Sequence, residues 1–423
     1  MPAADTSLMP PALANADDLQ RLRLGVLTGT PAYRDEAGRV WVNHSIARLL
    51  EAFRERMPRT RVCIPITPAK ESGQNHILQI PNEAIVDLPP LVSTLRAQRY
   101  ARRTRQIVQR FAAEVDLLFI RLPFQLPQAL RGLTTPKLLH VVGNTRKVID
   151  ASTAYRPLMK KVAQWFASRT DAATQRLAAE PRTRIVTNGR EMWDQLACRR
   201  GRVVVSSCLT RDEMQPRRDT ALRNPPRLLF VGYIRPEKGC LQLLDAFEQL
   251  RRTRPLKLTL AGGSSRPSAL EQAILDRVRA SPFRDDIELP GIIPFGPPLF
   301  DLYRDHDIYI LPTFSEGTPR TLVEARAFGC PVIATNVGGI PSSVEDGRDG
   351  LLIPPNDVGA IARAVQRMLD DEPLRQRLIA AGLDRSRAMT LEQFADDLVE
   401  ELRLLAADAG LLPTDDNSTK GPV

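Results

Sequence analysis

The chain has 423 residues, 26% charged and 43% hydrophobic, enough for two ordinary domains with separate cores, and this composition excludes a disordered or fibrous protein. Residues 1–20 lack the basic start and apolar core of a signal peptide, and no apolar run approaches the about 18 residues of a membrane span, so a soluble or peripheral, cytoplasmic protein is expected. The net charge of +10 is uneven, with 35 Lys and Arg against 20 Asp and Glu in residues 1–220 and 24 against 29 in the rest; a basic half can face nucleic acid, anionic lipid or a phosphorylated substrate.

In chain order, Arg23 to Leu27, Val62 to Ile66, His76 to Ile80, Val115 to Ile120, Leu138 to Val142, Arg184 to Thr187 and Val203 to Val205 are short β-branched or leucine-rich runs between helix-like stretches. That alternation predicts a parallel sheet flanked by helices. Around Gln215 to Arg227 the sequence turns polar and proline-containing, which sets a domain boundary. The alternation then restarts with strands at Leu228 to Val231, Leu256 to Leu260, Ile287 to Leu289, Ile308 to Leu311 and Val332 to Ala334. The expectation is an α/β protein of two Rossmann-like domains, residues 1–215 and 216–390, followed by a helix over 391–407 that returns toward the first domain and a frayed tail over 408–423. Five scattered cysteines, Cys63, Cys198, Cys208, Cys240 and Cys330, contain no CxxC pair, so a reducing setting without structural zinc is expected.

Ligands of open α/β sheets bind at the carboxyl ends of the strands. One strand runs into Gly232-Tyr233-Ile234-Arg235-Pro236-Glu237-Lys238-Gly239 and a helix, placing Arg235 and Lys238 over the sheet, where two cations can hold a diphosphate. A second ends at Phe314-Ser315-Glu316-Gly317-Thr318-Pro319-Arg320 and a helix, with Thr318 as the expected N-cap and Pro319 at the first helical position. The amides around Arg320 to Leu322 would then form an anion site. Glu316 and Glu324 flank that turn, and sugar hydroxyls are natural donors to such carboxylates. Either loop alone is an ordinary strand-to-helix connection with surface cations.

Together, FVGYIRPEKG, LTLAGG, DIYILPTFSEGTPRTLVEARAFGCPVIATNVGGIP and EDGRDGLLIPPND, in this order and at these separations, resemble the C-terminal domain of the retaining GT-B glycosyltransferases of family 4, the glycogen-synthase-like group. The resemblance covers about Leu228 to Asp357. It implies two facing Rossmann-like domains, a nucleotide diphosphate sugar as donor, no cofactor, no obligatory metal and retention at the anomeric carbon. Carried over, Glu324 would grip the nucleotide ribose and Glu316 the donor sugar. Lys238 would hold the diphosphate with amides near Thr321 and Leu322, Gly317 and Thr318 would line the donor, and Ile293 within Gly291 to Pro294 would lie beside the base. Many relatives have arginine where this chain has Tyr233; Arg235, two residues on, is expected to substitute for it.

The N-terminal half resembles the family less. Gly38-Arg39 stands where the family has Gly-Gly, and Gly38 is expected to let backbone approach the phosphate. His140, ending the strand KLLHV, matches a histidine that the family carries near the reaction centre; a lone histidine at a strand end is otherwise a satisfied structural residue. Asp305-His306-Asp307 has the look of a metal-binding Asp-x-Asp, but it directly precedes a strand and is expected to be structural. Arg96 to Phe111 has six arginines and no acid. Wound as a helix, it puts Arg99, Arg102, Arg103 and Arg110 away from its apolar face, as a patch for anionic membrane or acceptor phosphate, or simply as a solvated face. The function implied is transfer of a sugar to a glycan or lipid-linked acceptor, without nucleic acid as partner. The alternatives are a sugar-nucleotide epimerase and a non-catalytic GT-B binding protein.

Overall fold

The computed structural model describes residues 16–412 except 72, 92–93, 144–145, 147–148, 150–156, 197–199 and 264–268. Cys198, the first 15 residues and the tail from 413 onward lie outside the described residues.

The first sheet holds β1 (Leu24–Thr28), β2 (Ala32–Arg34), β3 (Val40–Val42), β4 (Arg61–Thr67), β5 (His76–Ile77), β6 (Ile85–Leu88), β7 (Leu117–Leu122), β8 (Lys137–Val141), β9 (Thr183–Asn188) and β10 (Gly201–Val204). Its spine is parallel, in the order β10-β9-β8-β7-β1-β4. At β4 the sheet forks: Val62 to Pro65 pair with β6, while Ile66 and Thr67 pair with β2, which leads to β3 and β5 in antiparallel fashion. The second sheet is parallel throughout, in the order β13-β12-β11-β14-β15-β16. Its strands are β11 (Arg227–Val231), β12 (Lys257–Ala261), β13 (Ile287–Gly291), β14 (Ile308–Leu311), β15 (Val332–Thr335) and β16 (Leu351–Ile353). Every residue of β14 and β15 is buried, as continuous apolar runs require when helices cover both faces.

The helix Leu391–Asp408 leaves the second unit and packs on the first. Phe394, Leu398, Leu402 and Leu405 join a core that contains Val26, Phe53 and Phe119, and the buried Glu401 accepts from Arg184 at 2.7 Å and from Arg202 at 2.8 Å. The two units are therefore fastened by apolar burial and by a charge pair that neither could form alone.

Three local expectations change and one strand is added. The strand expected over His76 to Ile80 keeps only His76–Ile77, because its partner β3 is three residues long. The segment around Gly38, expected to approach a phosphate, contains the β2–β3 hairpin, closed where Asp35 accepts from the Arg39 amide at 2.8 Å and from Trp41 Nε1 at 2.9 Å. The short Ile85–Leu88 forms a strand by pairing with β4. The arginine-rich stretch is not one helix: a single helical turn at Thr94–Ala97 and a tighter turn at Gln98–Tyr100 precede the helix Ala101–Ala113.

Candidate functional site

The loops after β11 and β14 are sewn together. A 3₁₀ turn at Pro236–Lys238 ends at Gly239, whose φ is +69° and whose α-carbon faces Pro312 so closely that a Cβ would fall 2.1 Å from the Pro312 carbonyl oxygen. Only glycine fits there. The Glu237 carbonyl accepts from the Phe314 amide at 2.7 Å and from the Thr313 hydroxyl at 2.8 Å. This stitching brings Lys238 Nζ into an ion pair with Glu316 Oε1, and both side chains are 17% exposed.

Behind that pair, Glu324 is buried and its Oε2 accepts from the Tyr303 hydroxyl at 2.9 Å. Burial raises the Glu324 carboxyl above its ordinary value, against the opposing effects of Arg320 and Tyr303. The Tyr309 hydroxyl donates to Thr321 Oγ1 at 2.7 Å, fixing the first turn of the helix Arg320–Ala327 on the end of its strand. Two expectations about that turn are corrected. Pro319, not Thr318, occupies the cap position, and the Thr318 hydroxyl is buried without a partner among the described residues, because extended backbone at Pro319 starts the helix one residue later. Leu322 N–H donates to the Pro319 carbonyl at 3.2 Å, so the first-turn amides without an intrahelical acceptor are those of Arg320 and Thr321.

Arg235 lies over the Tyr233 ring, 4.8 Å from its centroid, with side-chain exposure of 55%, while Tyr233 is 61% exposed. The two form a stacked pair at the rim rather than a second cation beside Glu316. Ile293 is half-buried against the second core, next to the exposed Ile292. Asp307 is saturated: Oδ1 accepts from the Arg217 and Arg223 guanidiniums at 3.1 Å each, and Oδ2 from the Arg227 amide at 2.8 Å. His306 is held by the Leu302 carbonyl and the Thr259 hydroxyl. The Asp-His-Asp stretch therefore anchors β11 to β14.

Gly317, of the second unit, comes close to the strand ends of the first: a Cβ on it would sit 3.2 Å from the Val142 carbonyl and 3.9 Å from Met192 Cε. Met192 also lines a cavity of about 240 Å³ with Leu122, Val141, Gly143, Thr170 and Asp171. Burial raises the Asp171 carboxyl, with Arg146 opposing. His140 is 2% exposed, between the rings of Phe119 and Phe394, with Nε2 3.0 Å from Asn188 Oδ1 and Nδ1 without a partner among the described residues. Burial, with Arg121 adding to it, lowers its pKa to about 3, so the imidazole is neutral. Gly38 is not brought to this site: it forms the tip of the β2–β3 hairpin, and its amide donates to the Asp35 carbonyl at 2.9 Å. Arg99, Arg102, Arg103 and Arg110 are exposed, opposite the buried Thr104, Val108 and Phe111. Tyr303 and Tyr309 were missed by motif reasoning; the signal was a tyrosine inside an apolar run, whose hydroxyl needs a buried partner.

The fold is that of the GT-B glycosyltransferases. Sucrose-phosphate synthase from Thermosynechococcus elongatus superposes with a TM-score of 0.69 at 16% identity, covering 91% of this chain and 99% of that one. The Anabaena protein HepE in complex with UDP does so with a TM-score of 0.63 at 15% identity, covering 90% and 99%. Residues 225–371 match the family model of the glycosyl transferases group 1, so the second unit is a domain of that family. Among curated proteins, the D-inositol 3-phosphate glycosyltransferase of Stackebrandtia nassauensis is 32% identical over 199 residues, 44% of each chain. The glycogen synthase of Mycobacterium tuberculosis is 34% identical over 164 residues, 38% of each chain. These matches span less than half the length of the curated relatives.

Proposed function

We propose that this chain is a retaining, metal-independent glycosyltransferase that moves a sugar from a nucleotide diphosphate sugar to a hydroxyl of a glycan or lipid-linked acceptor. The observation that carries this reading is the Lys238–Glu316 pair in front of the buried Glu324 at the carboxyl edge of the second sheet. Lys238 has three donors and Glu316 two acceptor oxygens, so their mutual bond uses one of each. The remaining donors suit a diphosphate oxygen and the remaining lone pairs suit sugar hydroxyls. The Arg320 and Thr321 amides supply the helix N-terminus for the same diphosphate, and Glu324 is the acceptor for ribose hydroxyls.

In the reaction the bond from the anomeric carbon to the phosphate oxygen breaks, and its electron pair leaves with the diphosphate. The acceptor oxygen bonds to the anomeric carbon from the same face and passes its proton to the departing phosphate oxygen. Lys238 and the two amides stabilise the charge that develops on the leaving group, and positioning does the rest. Metal independence is supported by the saturation of Asp307 by arginines. The acceptor hydroxyl enters from the cavity beside Gly317, the first unit's contribution to the cleft.

The test is release of nucleoside diphosphate from a panel of sugar nucleotides in excess EDTA, with the anomeric configuration of the product read by NMR. Release with retention is expected. Activity that EDTA abolishes and manganese restores, or an inverted product, would contradict it.

A further inference from the structure

Two helices on one face of the first sheet begin at the same edge of it. The helix Ala101–Ala113 leads directly into β7, and the helix Pro157–Ala178 directly into β9. Each therefore runs antiparallel to the strand it feeds, and its first turns lie at the carboxyl edge of the sheet. Val108 and Phe111 of the one and Leu177 and Ala178 of the other share a core with Leu118 and Ile120, and both helices pack against the 3₁₀ turn Pro127–Leu130. Their starts thus stand on one side of the cleft rim.

The second of these helices is longer than the sheet requires. Its 22 residues extend about 33 Å, whereas the six residues of β9 extend about 20 Å. The latter half is buried at Ala173, Thr174, Leu177 and Ala178, but in the overhanging first half Met159, Val162 and Trp165 are exposed, Trp165 at 54%. These three fall within an arc of about 120° on the helix. The exposed Arg169 lies in the same arc, its guanidinium 4.7 Å from the Trp165 ring centroid, and Lys161 flanks it. An apolar stripe that its own domain leaves in water marks a surface that something else covers.

The charge around the stripe identifies what covers it. The sequence holds no acid between Asp87 and Glu114, and none between Asp150 and Asp171. Arg99, Arg102 and Arg103, at the start of the neighbouring helix, are exposed and have no carboxylate partner among the described residues. We propose that this rim docks the first unit on an anionic lipid bilayer: Met159, Val162 and Trp165 enter the interfacial layer, and Arg99, Arg102, Arg103, Lys161 and Arg169 meet the headgroups. Indole and aliphatic side chains ringed by cations match a surface that is apolar beneath and anionic above. A single-stranded nucleic acid would need stacking rings where Met159 and Val162 stand, and a second copy of the chain would bring cations against cations. Thr170 and Asp171 of the same helix line the cavity beside Gly317, so a lipid-borne acceptor would meet the cleft without leaving the membrane. That consequence rests on the glycosyl-transfer reading; the docking does not.

The experiment sediments the full chain with vesicles of phosphatidylcholine, alone or mixed with phosphatidylglycerol, and follows tryptophan emission in parallel. It compares wild type, Trp165→Phe, the triple variant Met159→Ser, Val162→Ser, Trp165→Ser, and the triple variant Arg99→Gln, Arg102→Gln, Arg103→Gln. Wild type pellets with the anionic vesicles only, its emission shifts to the blue, and binding weakens as salt rises. Each triple variant binds about tenfold more weakly or worse and melts within a few degrees of wild type. Trp165→Phe still binds but loses the emission shift, which assigns the shift to Trp165 rather than to Trp41 or Trp193. Equal pelleting with neutral vesicles, undiminished binding by either triple variant, or wild-type emission that vesicles leave unchanged would overturn the docking. So would a serine variant that melts well below wild type, which would mean that another part of the chain covers the stripe, or one that converts a wild-type dimer to a monomer, which would give the stripe to a second copy. A chain that binds anionic vesicles but releases no nucleoside diphosphate from any sugar nucleotide would count against glycosyl transfer and leave the docking standing.

Discussion

The carboxyl edges of the two sheets face the same cleft but are neutralised differently. At the edge of the second sheet three charged groups have partners from their own unit: Lys238 has Glu316, Glu324 has the Tyr303 hydroxyl, and Asp307 has two arginines and an amide. At the edge of the first sheet, Arg121 has a hydroxyl, and among the described residues His44 and His140 each keep one ring nitrogen without a partner. The second unit can therefore hold its site geometry alone, while the first depends on what enters the cleft and on the elements that cross to it.

The sharpest break in this comparison is Lys238→Ala. Removing the cation that meets the leaving group should lower turnover by about 10²–10³-fold, while the chain stays folded with a melting temperature a few degrees lower, because Glu316, 17% exposed, loses its partner. Steady-state kinetics beside a melting curve check both halves; a variant that unfolds would make Lys238 structural.

A second break separates the units physically. Leu398 sits in the first unit's core although its helix follows the second unit. Leu398→Ala should cost about 2–5 kcal/mol, read by denaturant unfolding, and the loss should appear in the first unit's transition if the units melt separately. A loss confined to the second unit would contradict the fastening role of that helix.

The third prediction concerns pH. The His140 pKa is depressed to about 3 in the folded chain, whereas an unfolded histidine titrates near 6.5. Between those values the unfolded chain binds more protons, so stability rises with pH and is lost as pH falls below about 6.5. Relative to pH 8, this residue should cost about 2 kcal/mol by pH 5. His140→Asn should flatten the slope in urea titrations at pH 5, 6 and 8; an unchanged slope would mean that His140 is not the group responsible.

The two edges also differ in how far they could be read from the chain. The strand Ile308–Leu311, its glycine-rich loop and the helix after it are adjacent in sequence, so local pattern locates Glu316 and Glu324. Even there, the cap position depended on backbone at Pro319 that no pattern specifies, and the partnership of Tyr303 with Glu324 joins residues 21 apart. At the other edge the relevant neighbours are distant. His140 belongs to an apolar strand, its partner Asn188 ends another, and its ring neighbour Phe394 comes from the last helix. Gly38 misled because glycine serves a phosphate loop and a hairpin turn equally well, and the polar residues that close this hairpin read as loop. The stacking of Arg235 on Tyr233 shows the same limit: extended backbone puts both on one side of the chain, but whether they meet the diphosphate or each other is decided by the rim around them.

The account's central claim is that Glu324 and its surroundings form the nucleotide end of a donor site, and calorimetric titration of a sugar-nucleotide panel into wild type and Glu324→Gln tests it most directly. One nucleotide should bind wild type, and the variant should bind it about tenfold or more weakly, through loss of charge-assisted bonds to the ribose hydroxyls, while melting within a few degrees of wild type. Equal affinity of the two proteins for that nucleotide would contradict the claim.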